Sequence, residues 1–430
     1  MQRHGAGGEE PTSGEQSPHL SGDRDTELET GSPAGIDNDY LDADHDDDAP
    51  LRFCSINDII GPASPCGFAP CALVAEELYA SLGFKRSPSE HAIYVRRNGN
   101  AQLVVGVYVD DLMITGSNYD DIRQFKKEMA AAFKMSDLGQ LHYYLSIEVK
   151  QSASGILLSQ GAYATKNLEK CGMEGCNQCQ VPMETRLKRS KFSSEPSVDA
   201  TAYRSIVRSL RYLVNTCLDL AFAVGYASRF LEDPREDHLA AVKHILHYVA
   251  GTKNLGVWFS RKVEKEAYLR GFSDSGYAGD VDARKSMTGV IFFLGSSPIT
   301  WQSMKQKVVV QSSCEVEYIV AANAACQALW LARVLAEVQG STPRAPMLRV
   351  DNKSAISLTK NPVLHGQSKH IQVKYHLARE AAENGLINVE FIRSEEQLGN
   401  ILTKLLGKTK FHELRSKIGL INISNEHSKS

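Results

Sequence analysis

The chain has 430 residues, of which 42% are hydrophobic and 23% charged, and this length allows two or three domains with sizeable cores. No apolar run approaches the roughly 20 residues of a membrane span, so the sequence argues against a membrane partner. Nine cysteines with no signal peptide ahead of them predict free thiols in an intracellular, reducing compartment, either the cytoplasm or the nucleus.

The formal net charge of −3 conceals an uneven distribution of charge along the chain. Residues 1–50 carry 14 acidic and 2 basic side chains, whereas the other 380 residues carry 46 basic and 37 acidic ones. The first 50 residues have few apolar side chains to bury, and we predict that they form a disordered acidic tail. The basic remainder is compatible with a polyanionic partner such as a nucleic acid.

Two adjacent carboxylates interrupt an apolar stretch in the first half of the chain. The run Leu103–Val109 has the length of a buried strand, Asp110 and Asp111 follow it, and a second apolar run ends at Gly116. This pattern predicts a β-hairpin with both acids at its tip. Adjacent carboxylates repel unless a proton or a cation lies between them, and Mg²⁺ is a suitable cation. An ordinary polar turn is the alternative for an Asp-Asp pair taken alone.

The sequence Tyr108-Val109-Asp110-Asp111 resembles the palm hairpin of reverse transcriptases, and its flanks resemble copia-type retrotransposons. The resemblance implies that Asp110 and Asp111 are metal ligands. Residues 51–78 resemble the linker between integrase and polymerase in these polyproteins, and residues 79–180 resemble part of the palm. No motif of the family's first catalytic Asp occurs before Tyr108. We therefore expect an internal deletion near residue 78 and an inactive polymerase.

Helical periodicity marks the next part of the chain. We predict an amphipathic helix at Asp120 to Phe133, then strands at His142 to Val149 and at Gly155 to Leu158. Residues 181–255 resemble the family's thumb or connection region. Three helices are predicted there, one after the N-cap Asp199, one at Ala221 to Leu231 and one at His238 to Val249.

The segment 260–420 has the pattern of a mixed sheet flanked by helices. Strands are predicted at Ala267–Asp274, Gly289–Leu294, Pro298–Gln302, Val308–Val310, Met347–Val350 and Ile387–Ile392. Helices are predicted at Cys314–Val338, Asn352–Leu358, His370–Glu383 and Glu395–Leu405. The order of these elements resembles the ribonuclease H fold. The fold class predicted for the whole chain is thus α/β and α+β, with a partial palm, a helical connection and a ribonuclease H-like domain.

Three acids lie at the ends of elements in this segment, and the resemblance implies that Asp274, Glu317 and Asp351 are the catalytic residues and metal ligands. Such carboxylates would converge on two metal ions about 4 Å apart. Glu315 is the alternative to Glu317, but Ser312 and Glu315 have the spacing of a capping box. Glu317 lies about 200° further round the helix, on a different face, and is the preferred candidate.

The family's fourth acid is replaced by Asn400, so the second ion is expected to bind more weakly. The resemblance implies a fragment of a Pol polyprotein, related to RNA-directed DNA polymerase and ribonuclease H. It also implies Mg²⁺ or Mn²⁺ as cofactor and an RNA–DNA hybrid or other nucleic acid as partner. Two alternatives remain open, a non-catalytic nucleic-acid-binding relic of a retrotransposon and a pseudogene product that does not fold.

Overall fold

The computed structural model describes residues 79–109, 111–133, 135–261, 268–310, 312–360 and 373–423. The acidic tail predicted for 1–50, the linker predicted for 51–78 and Asp110 lie outside the described residues.

The described residues contain fourteen strands and nine α-helices. Strands β1 to β14 are Lys85–Arg86, Ile93–Asn98, Ala101–Tyr108, Asp111–Gly116, Tyr143–Tyr144, Ile147–Gln151, Gly155–Ser159, Leu255–Ser260, Leu269–Gly276, Met287–Leu294, Ser297–Lys305, Met347–Val350, Asn388–Phe391 and Leu420–Asn422. Helices α1 to α9 are Tyr119–Ala132, Gly161–Lys170, Ala200–Leu213, Ala221–Ala227, Glu236–Thr252, Ser313–Gln339, Lys353–Lys360, Val373–Glu383 and Lys408–Lys417. Short 3₁₀ helices are present at Leu218–Leu220, Ser228–Phe230 and Leu398–Leu402.

The first sheet contains β1 to β4 in sequence order, with every neighbouring pair antiparallel. Strands β3 and β4 form the predicted hairpin, in which Tyr108 pairs with Asp111. Val109 lies in the turn with a positive φ of 49° and is exposed. Helix α1 packs against this sheet through Phe125 and Met129. The predictions of the hairpin and of the amphipathic helix after it are confirmed.

The second sheet joins distant parts of the chain. Its strand order is β14-β8-β7-β6-β5, and all its pairs are antiparallel. Strand β7 confirms the strand predicted at Gly155 to Leu158. The strand predicted at His142 to Val149 is instead divided into the antiparallel pair β5 and β6, because the chain turns at Leu145 and Ser146, whose φ angles are 47° and 58°. Strand β8 follows the helical region, and β14 comes after the last helix of the described residues. The sheet therefore crosses the boundaries that the sequence predicts between the palm, connection and ribonuclease H-like segments.

Helices α3, α4 and α5 bury their apolar faces in the largest hydrophobic core of the described residues. Asp199 caps α3, because its Oδ1 accepts hydrogen bonds from the backbone nitrogens of Thr201 and Ala202 at 2.8 and 3.2 Å. The same core includes Phe272 and Phe293 of the third sheet. The helical region predicted for 181–255 is thus present, and it shares its core with the segment that follows.

The third sheet has the order β11-β10-β9-β12-β13. Strands β9, β10 and β11 are antiparallel neighbours, whereas β12 is parallel to both β9 and β13. This arrangement is the mixed sheet that the sequence predicts. Helix α6 covers one face through alanine and valine side chains, because these small residues allow the helix to approach the sheet closely.

Helix α6 is long and apolar enough to cross a membrane by the criteria of length and composition. More than half of its apolar stretch is buried inside the protein. The buried core helix of a soluble protein meets the same criteria, so this helix is weak evidence for a membrane span.

Two elements predicted at 260–420 differ from the structure, and two observed elements were not predicted. Val308–Val310 forms no strand. The pairing of β10 with β11 ends at Met287 and Lys305, and a further hydrogen bond beyond it runs from the backbone nitrogen of Gln306 to the backbone oxygen of Ser286. The predicted helix Glu395–Leu405 is only the 3₁₀ helix Leu398–Leu402. Helix α9 and strand β14 were not predicted, although Phe411, Leu414 and Ile418 are buried at helical spacing.

Candidate metal centre

Asp274 lies on β9 and is completely buried. Both of its carboxylate oxygens accept hydrogen bonds from the segment after the 3₁₀ helix Leu398–Leu402. The Thr403 hydroxyl donates to Oδ2, and the Lys404 ammonium donates to Oδ1 at 2.9 Å. The close approach requires glycine at 399, because a Cβ there would lie 2.8 Å from the Cβ of Asp274.

Glu317 lies near the start of α6 and is 7% exposed. Its Oε1 accepts two hydrogen bonds from Ser275, one from the backbone nitrogen at 3.1 Å and one from the hydroxyl at 2.6 Å. Its Oε2 is buried and has no hydrogen-bond partner among the described residues. At Glu315 the backbone nitrogen donates to the Ser312 hydroxyl at 3.2 Å, as the capping-box spacing predicts.

Asp351 follows β12 and is half-buried. The parallel register pairs Val350 with Ser273 of β9, so the next residue along each strand is an aspartate. The Ser394 hydroxyl donates to Oδ2 of Asp351 at 2.9 Å. Parallel pairing thus sets Asp351 and Asp274 side by side near the carboxyl ends of β12 and β9.

The structure brings Asp274, Glu317 and Asp351 together. One oxygen from each carboxylate lies within 4.8 Å of the others, and Glu315 is not part of this group. Burial raises the pKa of Glu317 to about 8, and the neighbouring charges of Asp274 and Asp351 add to the effect. Burial also raises the pKa of Asp274 to about 6, although Lys404 and Thr403 oppose the shift. Ionisation of the cluster is therefore costly without a cation.

These residues fit a divalent cation. All the side chains in the group offer oxygen atoms, which hard cations such as Mg²⁺ prefer. The buried Oε2 of Glu317, with no partner among the described residues, is the kind of atom that a bound cation would satisfy. The raised pKa values of Glu317 and Asp274 have the same cause, since negative charge is confined there with too little compensation.

Asn400 lies beside the acids, in the 3₁₀ helix Leu398–Leu402. Its side-chain nitrogen donates to the backbone oxygen of Ser394 at 2.8 Å. Its side-chain oxygen accepts a hydrogen bond from the Lys404 ammonium at 2.6 Å. Lys404 therefore bridges Asn400 and Asp274.

Several residues of the site were missed by reasoning from the sequence alone. Ser275, Ser394, Thr403 and Lys404 hold the acids through hydrogen bonds, yet none is acidic. A signal for Lys404 was available, because it follows Asn400 by four residues, the spacing at which side chains meet across one helical turn.

The hairpin acids can be described only in part, because Asp110 lies outside the described residues. Asp111 begins β4 and is exposed. Burial raises the pKa of Tyr144 to about 12, with a further contribution from the charge of Asp111. The ring of Tyr144 lies edge-on to that of Tyr108, with centroids 6.4 Å apart.

The third sheet, with three antiparallel strands followed by two parallel ones, has the order of a ribonuclease H-like α/β fold, and Asp274 and Asp351 lie near the carboxyl ends of its neighbouring strands β9 and β12. One similar solved structure is the N-terminal ribonuclease H domain of Rv2228c from Mycobacterium tuberculosis, determined as a fusion with maltose-binding protein. The match covers 35% of this chain and 98% of the chain in that structure. The TM-score is 0.23 and the sequence identity 12%. Residues 69–185 match the family described as reverse transcriptase (RNA-dependent DNA polymerase).

The retrovirus-related Pol polyprotein from transposon RE1 of Arabidopsis thaliana is 37% identical over 80% of this chain, which spans 23% of that polyprotein. The uncharacterized mitochondrial protein AtMg00810 of the same plant is 34% identical over 52% of this chain, and 92% of its length is covered. The chain belongs to the family of copia-type, retrovirus-related Pol polyproteins of transposons. It spans less than a quarter of the length of the RE1 polyprotein.

Proposed function

We propose that this Pol fragment hydrolyses the RNA strand of RNA–DNA hybrids at the centre formed by Asp274, Glu317 and Asp351. The observation that carries the proposal is the convergence of three carboxylates, from three separate elements, within 4.8 Å. A divalent ion held by these oxygens would activate water for attack on the phosphodiester and stabilise the leaving oxygen.

The chain's own residues orient the carboxylates for this role. Two hydrogen bonds from Ser275 fix Oε1 of Glu317 and so hold its carboxylate in place beside the other acids. The Thr403 hydroxyl fixes one oxygen of Asp274, and the Ser394 hydroxyl fixes one oxygen of Asp351. Three acids held by neighbouring hydroxyl groups need little rearrangement to bind a cation.

We further propose that Mn²⁺ supports this hydrolysis better than Mg²⁺. Asn400 stands where the family has a fourth carboxylate, and its side-chain oxygen accepts a hydrogen bond from Lys404, so the centre carries less negative charge than the family's. Mg²⁺ requires a nearly ideal octahedron, whereas Mn²⁺ binds divalent-metal sites more tightly than Mg²⁺ in general and accepts less regular geometry.

A labelled RNA–DNA hybrid incubated with the full chain tests the proposal. We expect cleavage of the RNA strand in Mn²⁺ and a loss of at least about 100-fold in Asp274→Asn, equivalent to about 2.7 kcal/mol of barrier. Glu317→Gln should cause a similar loss, while Glu315→Gln is the matched control and should retain activity. Equal activity in Asp274→Asn and the unmodified chain would contradict the proposal.

We propose that the polymerase part is inactive. Strand β4, which carries Asp111, is the outermost strand of its sheet among the described residues. The sequence before Tyr108 contains no motif for the family's first catalytic Asp. Primer extension by the full chain on a primed RNA template should therefore stay at background in Mg²⁺ and in Mn²⁺. Extension that depends on Asp110 would refute this part of the proposal.

A non-catalytic nucleic-acid-binding relic is the second candidate function. The observation in its favour is that both oxygens of Asp274 already accept hydrogen bonds, from Thr403 and Lys404. A relic would bind the RNA–DNA hybrid with equal affinity in the presence of EDTA and of Mn²⁺ and would leave it uncut. Binding and cleavage measured on the same hybrid separate the two candidates.

A further inference from the structure

Lys404 places a positive charge beside the acid cluster. Its ammonium lies 2.9 Å from Oδ1 of Asp274 and 2.6 Å from Oδ1 of Asn400. It thus bridges the first acid and the residue in the place of the family's fourth acid. The Lys404 side chain is 41% exposed, whereas Asp274 is completely buried, so the ammonium approaches the carboxylate from the solvent side.

The orientation of the Asn400 amide is set by its neighbours. Its nitrogen donates to the backbone oxygen of Ser394 at 2.8 Å, which leaves the amide oxygen to face Lys404. An amide oxygen and a carboxylate oxygen are both acceptors, and an ammonium offers only donors. The Lys404 ammonium therefore balances the negative charge of Asp274 and donates a hydrogen bond to both Asp274 and Asn400.

The carboxylate of Glu317, unlike that of Asp274, has one oxygen, the buried Oε2, without a hydrogen-bond partner among the described residues. One carboxylate oxygen of Glu317 lies within 4.8 Å of an oxygen of Asp274 and of Asp351. These three carboxylates carry more negative charge than the one ammonium of Lys404 balances, so the cluster can bind a divalent ion. A second divalent ion bound by Asp274 and Asn400 would compete with the Lys404 ammonium for the same oxygen atoms.

We propose that Lys404 takes the place of the second divalent ion, so that the centre binds one divalent ion and one ammonium. This inference rests on the proposed function, because it assumes that the three acids bind a divalent ion. Lys404 is then a positioning residue that holds Asp274 and supplies one of the two positive charges. Asn400 accordingly serves as the hydrogen-bond acceptor of Lys404, and the change from an acid to Asn at this position is more than the loss of one metal ligand.

The number of Mn²⁺ ions bound to the full chain, measured by electron paramagnetic resonance titration at fixed pH, tests the inference. We expect one ion in the unmodified chain and also one in Asn400→Asp, because the new carboxylate pairs with Lys404. The double variant Asn400→Asp, Lys404→Met should bind two ions, the second within about tenfold of the first in affinity. Asn400→Asp, Lys408→Met is the matched control, since Lys408 is exposed on α9, and it should bind one ion.

The outcomes separate this inference from the proposed function. Two ions in Asn400→Asp alone, or one ion in the double variant, would overturn the role of Lys404 while the acids still bind metal. No bound ion in the unmodified chain would overturn the metal centre itself, and with it this inference. A melting curve of each variant identifies any loss of folding, and Asn400→Asp, Lys404→Gln provides a second neutral substitution at position 404.

Discussion

Glu317 and Asp274 share a small buried volume, and their pKa values in the folded protein, about 8 and about 6, exceed the ordinary values of 4.5 and 3.8. The folded state therefore binds protons more tightly than the unfolded state at both groups. Their contribution to stability is fully present below about pH 4 and is lost as pH rises through 6 and 8. The cause is burial together with repulsion among the acids.

In EDTA, we expect the melting temperature of the metal-free protein to fall between pH 5 and pH 8.5. Glu317→Gln should flatten this dependence, because the amide has no charge to bury. Glu315→Gln is the control and should keep the slope of the unmodified chain, since Glu315 lies outside the acid cluster. An identical slope in Glu317→Gln would contradict the assignment of Glu317 to the centre.

At the scale of single elements, the 3₁₀ helix Leu398–Leu402 sets the distance between Asp274 and the Lys404 ammonium. A Cβ at position 399 would lie 2.8 Å from the Cβ of Asp274, too close for any side chain without movement. We expect Gly399→Ala to push the turn away, with a loss of stability of about 1–3 kcal/mol. Urea unfolding measures that loss, and Mn²⁺ titration should show weaker binding in the same variant.

Gly279→Ala is the matched control for this substitution, because an added Cβ there meets nothing within 4 Å. Both changes add the same methyl group, so a difference between them reports the close approach and not a general effect of alanine. Unchanged stability and unchanged Mn²⁺ affinity in Gly399→Ala would show that the turn can move without cost.

Helix α9 is tied to the helical region by a buried polar contact. The Tyr248 hydroxyl on α5 donates to Asp219, and Arg415 on α9 donates to the same hydroxyl at 2.9 Å. Tyr248→Phe would leave the buried Asp219 carboxylate without this donor. We expect a loss of about 1–3 kcal/mol in urea unfolding. Tyr119→Phe, on an exposed ring of α1, is the control and should change stability little.

At the scale of the whole molecule, the segment 260–420 shares its core with the helices that precede it. Phe272, Ile291 and Phe293 of the third sheet belong to the core formed by α3, α4 and α5. The indole nitrogen of Trp301 on β11 also donates to the backbone oxygen of Val214 at 2.9 Å. Separation at residue 260 would therefore expose one face of the sheet to solvent.

We expect a 260–430 fragment to aggregate, because a large apolar face that is buried in the full chain would be uncovered. A 140–430 fragment, which retains α2 to α5 and the partners of β8 and β14, should stay soluble and melt cooperatively. Gel filtration and thermal unfolding compare the two. A monomeric 260–430 fragment with a cooperative transition would show that the two segments fold independently.

The sequence by itself determined the elements whose signals are local. The hairpin around Tyr108, the cap at Asp199 and the order of strands and helices from β9 to α8, apart from the strand wrongly predicted at Val308–Val310, follow from periodicity, turn residues and capping, which act over a few residues. The choice of Asp274, Glu317 and Asp351 came from the resemblance to the ribonuclease H fold, and the structure brings these three acids together. The preference for Glu317 over Glu315 came from a local signal, since a capping box has a fixed spacing.

Only the tertiary structure decided which distant groups meet. The bridge from Lys404 to Asp274 spans 130 residues of sequence, and the pairing of β14 with β8 spans more than 150. Such contacts are selected by the burial of whole faces, for which no local pattern carries information. The same reason explains the error at Glu395–Leu405, where the sequence has helical spacing. Two contacts with β9 hold this segment in a tighter 3₁₀ turn: Gly399 packs against Asp274, and the side-chain nitrogen of Gln397 donates to the backbone oxygen of Ser273.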